Sequence, residues 1–221
     1  MIISRTPYRI SLFGGGTDSP VWDREYGGQV LSGTIDKHIY ISCRYLPPFF
    51  EHRVRLVYSR VEACSGAHEI EHPAAREILK KYQISTGVEI HYDGDLPARR
   101  GMGSSSAFSV GLINAISAYT GLSRSKIDLA QEAIDIEQNV LGERVGSQDQ
   151  VNAAYGGLNH ILFHPGGEIE VREVDISANQ RRELKDNLML FYTGIMRTAE
   201  TVASSYLENL VEQRERLTRM S

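Results

Sequence analysis

No stretch of this 221-residue chain is apolar for long enough to cross a bilayer as a helix, and residues 1–16 lack the hydrophobic segment of a secretory leader. Cysteine is scarce. Cys43 and Cys64 do not form a C-x-x-C metal pair, and two cysteines are too few for a disulfide framework, which fits a reducing compartment. Charge of one sign is also missing: 24 basic and 28 acidic residues leave a net charge of −4. That balance argues against nucleic-acid and membrane-surface partners, and any anion site must be built locally. A Walker-A G-x-x-x-x-G-K-[ST] sequence is absent, which excludes a P-loop enzyme, and the absence of H-R-D and D-F-G excludes a protein kinase. Neither internal repeats nor low-complexity linkers occur. A chain of this length can bury a sizeable core as one large domain or one and a half, and a cytoplasmic location is expected.

Glycine, by contrast, is present in clusters beside polar residues. The first is Gly14-Gly15-Gly16-Thr17-Asp18, where three successive glycines suggest a close approach of chain or ligand. A glycine-rich turn with Asp18 as a helix cap reads the same residues equally well. The second is Pro97 to Ala107, containing Gly101-Met102-Gly103-Ser104-Ser105-Ser106. It follows the alternating strand 87–93 and runs into a mostly apolar segment, 108–116, that reads as a buried helix. Glycines, hydroxyls and a helix start form an anion cradle, since backbone N–H groups and the positive dipole end converge there. The third is Gly146-Ser147-Gln148-Asp149-Gln150, either a turn holding a carboxylate against a ligand or a helix start with Asp149 in its first turn.

Between these clusters the chain reads as an α+β mixture. Strands are expected over 2–13, 29–35, 36–45 and 53–58, making the first third a β-rich layer. Residues 68–72 spell His-Glu-Ile-Glu-His, a formal match to the zinc-protease pattern. That chemistry needs both histidines in one continuous helix, and Pro73 pushes His72 away from helical geometry. Pro73 instead starts a helix that continues over 74–82. A further helix, capped by Ser123 or Ser125, runs to about Leu141 and stops at Gly142. Its apolar stripe is Ile127, Ala130, Ala133, Ile134 and Leu141, and Glu137 falls on that inward stripe, with Asp128, Glu132 and Asp135 on other faces. A buried carboxylate is expensive unless paired. A metal ion is one partner; Arg9 or Arg144 is another. A hairpin over 158–174, a helix over 177–186, a strand over 187–193 and a long charged helix over 197–219 complete the pattern.

The cradle resembles motif 2 of the GHMP kinases (galactokinase, homoserine kinase, mevalonate kinase, phosphomevalonate kinase), written P-x-x-x-G-[LM]-G-S-S-[AS]-A. Thr6 to Asp18 resembles motif 1 in its sugar-kinase form. Phe13 to Pro20, Ser32 to Lys37 and Gly146 to Gln150 are most similar to the heptose 7-phosphate kinase branch. The resemblance implies a ribosomal-protein-S5 domain-2-like N-terminal domain over 1–180, followed from 181 by the start of a ferredoxin-like domain. It implies that Gly101, Met102, Gly103, Ser104, Ser105 and Ser106 wrap the phosphates of ATP, and that Ser105 and Glu137 hold Mg2+. Asp149 is then the general base or orienting carboxylate, Arg9 stabilises charge beside it, and Gly15, Gly16, Thr17 and Asp18 bind the sugar.

The implied reaction is ATP-dependent phosphorylation of the anomeric hydroxyl of D-glycero-D-manno-heptose 7-phosphate. A fucose- or galactose-type sugar 1-kinase and a non-catalytic ATP- or sugar-binding member remain open, as does a homodimer. The family's third motif is a glycine-rich loop near its C-terminus. No glycine follows Gly194 here, so the chain is expected to be truncated and weak or inactive alone.

Overall fold

The computed structural model describes residues 1–84, 87–97, 101–191 and 217–219. Its frame is a seven-stranded mixed sheet. Strand β1 (Ile2–Phe13) pairs antiparallel with β2 (Gly28–Tyr45), the 18-residue strand on which the sheet is built. Between them lies α1 (Pro20–Tyr26), a helix the sequence reading missed. The two strands expected over 29–45 are in fact one. Gly33 and the polar Asp36-Lys37 suggested a break, but pairing on both edges carries the strand through. The other edge of β2 is shared, with β6 (Leu158–Phe163) on residues 28–33 and β5 (Val88–Gly94) on residues 39–45. The hairpin β3 (Val54–Val57) and β4 (Val61–Cys64) adds to β5, with β3 parallel to it. The short β4 was not anticipated. Strand β7 (Ile169–Glu173) closes the opposite edge as the expected hairpin partner of β6.

The crossover from β4 to β5 passes through α2 (Pro73–Lys81), whose Ala74, Ala75, Ile78 and Leu79 are buried. Their spacing is the inward stripe of an amphipathic helix. His72 is its N-cap, with an extended backbone and Nδ1 accepting from the Ala75 N–H at 3.4 Å, while residues 67–69 form a separate short 3-10 turn. The two histidines therefore do not share a helix, as Pro73 required.

Helix α3 (Ser104–Tyr119) is buried over most of its length and lies against β1 and β2. The Ser4 hydroxyl donates to the Gly111 carbonyl at 2.8 Å, locking helix to strand. The core joins Ile39, Ile41, Leu56 and Ile90 of the sheet to Ile78, Leu112, Ile113 and Ile116 of the helices. Helix α4 (Lys126–Ile134) starts with a capping box built by Ser125 and Asp128, then continues as a π-helical turn over Asp135–Val140. Such turns recur at functional sites because the extra residue re-aims neighbouring side chains. Glu137 lies in this turn and is buried, as expected. Glu132, on a face other than the apolar stripe, is buried as well. The C-terminal end of α2 packs over it, so it accepts from the Tyr82 hydroxyl at 3.1 Å and pairs with Lys81 and Arg124 at 3.6 Å each.

After α5 (Gln148–Tyr155) and the β6–β7 hairpin, α6 (Ala178–Asp186) buries none of its residues. The strand expected over 187–193 does not form over its described part, 187–191. No strand lies beside this segment among the described residues, and its apolar side chains are exposed, so alternation alone does not make a ladder. The helix expected over 197–219 falls outside the described residues except for 217–219, which are helical.

Candidate active site

The three glycine clusters are joined through the start of α5, where Asp149 touches Gly103 and Gln148 touches Asp18. Gly103 is the residue before α3, with φ of +71°, and Gly101 has φ of +72°. This left-handed backbone carries the chain from the loop into the helix, and a side chain at Gly103 would be strained. Gly103, at the N-cap, has no side chain to bond the first N–H groups of this 16-residue helix, and the positive end of its dipole lies at the loop. Ser104 is half-buried, Ser105 is exposed and Ser106 is buried.

Arg9 organises one side of this loop. It follows a register shift in the β1–β2 pairing between Pro7 and Arg9, and such irregularities turn a side chain out of the regular alternation. The Arg9 guanidinium forks onto Asp149, with Nε to Oδ1 at 2.6 Å and Nη2 to Oδ2 at 2.8 Å. Its Nη1 donates to the Gly101 carbonyl at 2.8 Å, and its backbone N–H to Met102 at 3.3 Å. A bidentate charge-assisted pair fixes orientation as well as position. Asp149 thus sits in the first turn of α5, the helix-start reading of that segment, and touches the cradle. A Cβ on Gly103 would stand 3.3 Å from Asp149 Oδ2.

Glu137 stands on the other side of the cradle, 1% exposed. Its partner is not Arg9, which is spent on Asp149. Oε2 instead accepts from Ser106 Oγ at 2.8 Å and from Gln150 Nε2 at 2.6 Å. Oε1 is buried and has no hydrogen-bond partner among the described residues, while the nearby Ser109 hydroxyl donates to the Ser105 carbonyl at 3.3 Å. Burial pushes this carboxyl up to about 7, against the pull of Ser109, Ser106 and Gln150. The serine in direct contact is therefore Ser106, whereas Ser105, the residue paired with Glu137 by resemblance, faces solvent one position earlier.

This geometry fits a divalent cation. A buried carboxylate oxygen without a donor among the described residues, next to the first turn of α3, is the kind of protein oxygen Mg2+ takes when substrate phosphates complete its shell. Among the described residues no group of three or more acidic, histidine or cysteine side chains could hold a metal unaided.

The Gly14–Asp18 loop packs against the start of α5. Gly15 is exposed and Gly16 half-buried, whereas Thr17 and Asp18 lie below the surface at 0% and 2% exposure. The Thr17 hydroxyl donates to the Gly14 carbonyl at 2.8 Å and accepts from the Gln29 N–H at 3.1 Å. Asp18 accepts from the N–H groups of Gly16 at 2.9 Å and Gln148 at 3.0 Å, and burial raises its carboxyl above the usual carboxylate range. These two residues thus frame the loop from beneath, and Gly15 and Gly16 form its open face. Leu217, itself buried, lies beside Gly16.

Gly146 is required by this contact: a Cβ there would stand 2.0 Å from Asp18 Oδ2. Gly146→Ala is expected to cost about 1–3 kcal/mol, the usual range for overpacking a tight interior. Urea denaturation measures it, and an unchanged midpoint would contradict the contact.

Sequence reasoning missed Gln148 and Gln150 as site residues. With Asp149 they form one run whose side chains reach three different segments: Gln148 to Asp18, Asp149 to Arg9 and Gln150 to Glu137. Ser106 and Ser109 carried a usable signal, because two hydroxyls three residues apart on an otherwise apolar helix face the same way.

A mixed sheet, a glycine-led helix start and carboxylates on either side of it make a candidate phosphate-binding site. Residues 68–157 match the model of the GHMP kinases N terminal domain. These residues belong to that family, and the chain has the GHMP kinase fold. It is 29% identical over 212 residues to D-glycero-alpha-D-manno-heptose 7-phosphate kinase of Campylobacter jejuni, covering 91% of this chain and 62% of the relative. It is 24% identical to L-fucokinase/L-fucose-1-P guanylyltransferase of Bacteroides fragilis, covering 95% of this chain and 26% of that protein. The chain thus spans less than two thirds of either. A solved D-glycero-D-manno-heptose 1-phosphate kinase from Bacteroides thetaiotaomicron superposes with a TM-score of 0.79 at 23% identity, over 99% of this chain and 74% of that one.

Proposed function

We propose that this chain carries the ATP site of a sugar kinase that phosphorylates the anomeric hydroxyl of D-glycero-D-manno-heptose 7-phosphate. The observation that carries this reading is the buried, half-satisfied Glu137 beside the uncapped start of α3. Residues 1–180 form the ATP-binding domain and residues from 181 begin a second one, in keeping with the absence of buried residues in α6. A cytoplasmic setting suits Cys43 and Cys64, both buried and free.

In this reading the backbone N–H groups from Gly101 to Ser106 hold the phosphates of ATP. Ser105 and Glu137 would hold Mg2+, which would supply positive charge to the phosphate oxygens. Asp149, fixed by the Arg9 fork, accepts the hydrogen bond of the acceptor hydroxyl and aims its oxygen at the γ-phosphorus. As that oxygen–phosphorus bond forms, the bond to the β,γ-bridging oxygen breaks, and the hydroxyl proton passes to Asp149 or to solvent. Arg9 offsets negative charge building beside Asp149. Gly15 and Gly16 present the face that meets the sugar, with Thr17 and Asp18 holding that loop in shape.

The similarity to an L-fucokinase favours a second reading in which the acceptor is an unphosphorylated sugar. A coupled ADP-release assay of the full-length protein on heptose 7-phosphate, fucose and galactose separates the two. The proposal expects release to be fastest with the 7-phosphate. Nucleotide binding without turnover on any sugar would contradict it.

A further inference from the structure

We infer that Gln150 is a positioning residue: its amide anchors one oxygen of Glu137 and thereby leaves the other as the ligand for a divalent cation. The inference rests on the kinase reading of the site. Two donors, Ser106 Oγ at 2.8 Å and Gln150 Nε2 at 2.6 Å, converge on Oε2, while the neighbouring Ser109 hydroxyl is directed to the Ser105 carbonyl at 3.3 Å and Oε1 has no partner among the described residues. Two donors on one oxygen stop the carboxylate from turning to share them. They also divide its oxygens into one held by protein and one left for something else.

Packing does not explain a glutamine here. Gln150 is 0% exposed, and its own Oε1 is buried without a partner. An apolar side chain of that size would fill the same space without leaving an acceptor unsatisfied, which costs free energy. Two orphaned acceptors on two touching side chains mark a place that lacks positive charge or a donor, as a cation with its bound water would supply. Gln150 also follows Asp149 directly in α5, so the carboxylate held for the cation and the one held by Arg9 are set by consecutive residues of one helix.

The test is calorimetric titration of this chain with AMP-PNP, once with Mg2+ and once with EDTA. Wild type is expected to bind more tightly with Mg2+. Gln150→Met, similar in volume but without a donor, is expected to keep the EDTA affinity and lose about tenfold or more of the Mg2+ enhancement, the usual penalty for removing a residue that orients a metal ligand. Equal weakening with and without Mg2+ would reveal a merely structural role and overturn the inference. So would full enhancement in Gln150→Met alongside its loss in Glu137→Gln. If Gln150→Met does not fold, Gln150→Asn withdraws the amide by one methylene; loss of enhancement supports the inference and full enhancement overturns it. Absence of any Mg2+ enhancement in wild type would instead overturn the kinase reading of Glu137.

Discussion

Asp149→Asn is expected to lower phosphoryl transfer by about 10²- to 10⁴-fold while leaving ATP affinity close to that of the wild type. The substitution keeps the shape of the side chain and removes one anionic oxygen. In the wild type the two carboxylate oxygens are fixed by Arg9 at 2.6 and 2.8 Å, so the group has one orientation. An asparagine presents an NH2 group to one arm of the guanidinium, and the fork opens. The cradle keeps its own tie to Arg9, because Nη1 donates separately to the Gly101 carbonyl. Affinity for ATP and turnover therefore separate in this variant. Turnover and nucleotide binding measured side by side decide the matter, and unchanged turnover would refute the role given to Asp149. A loose transition state asks little of a base, which places the expected loss in orientation as much as in proton transfer.

Glu137→Gln is expected to stabilise the metal-free chain at pH 8 and to abolish the Mg2+ enhancement of nucleotide binding. Burial raises this carboxyl from its ordinary 4.5 to about 7, so the folded chain binds the proton more tightly than the unfolded chain does. The corresponding stability is fully present below pH 4.5, declines as the pH rises towards 7 and is gone above it, where the ionised carboxylate carries its burial cost. That difference corresponds to about 3 kcal/mol at order of magnitude. The variant removes the charge, so its melting temperature in EDTA should exceed that of the wild type at pH 8 and match it near pH 4.5. Asp18 and Asp23 are also raised by burial. Both are present in the two proteins, and their contributions cancel in the comparison. A Tm difference that does not change with pH would contradict the burial of Glu137 without a countercharge among the described residues. The wild-type cost is the kind of local instability a binding site retains for its ligand.

Much of this site was readable because glycine, serine and proline act locally. Gly103 before a run of small apolar residues announced the start of α3, Pro73 separated His72 from His68, and Glu137 on an apolar stripe announced a buried carboxylate. The parts that escaped depend on contacts distant in sequence. Arg9 and Asp149 are 140 residues apart and nothing local at either position names the other, so only the family resemblance set them side by side, and their two-point fork was not foreseen. The choice between Ser105 and Ser106 was equally hidden. Adjacent serines differ by about 100° around the helix, and only the packing of α3 against the π-helical turn determines which one meets Glu137. That turn also escaped, since one extra residue in a helix leaves no mark in composition. The strand expected over 187–193 failed for the complementary reason: its apolar residues suit a sheet, but none of the described strands lies beside them.

The most direct measurement is a crystal structure of the chain with AMP-PNP and Mg2+. The triphosphate is expected over the first turn of α3, held by N–H groups between Gly101 and Ser106, with the cation between it and Glu137 Oε1. A triphosphate bound elsewhere, or one bound there with no cation at Glu137, would contradict the site proposed for this chain.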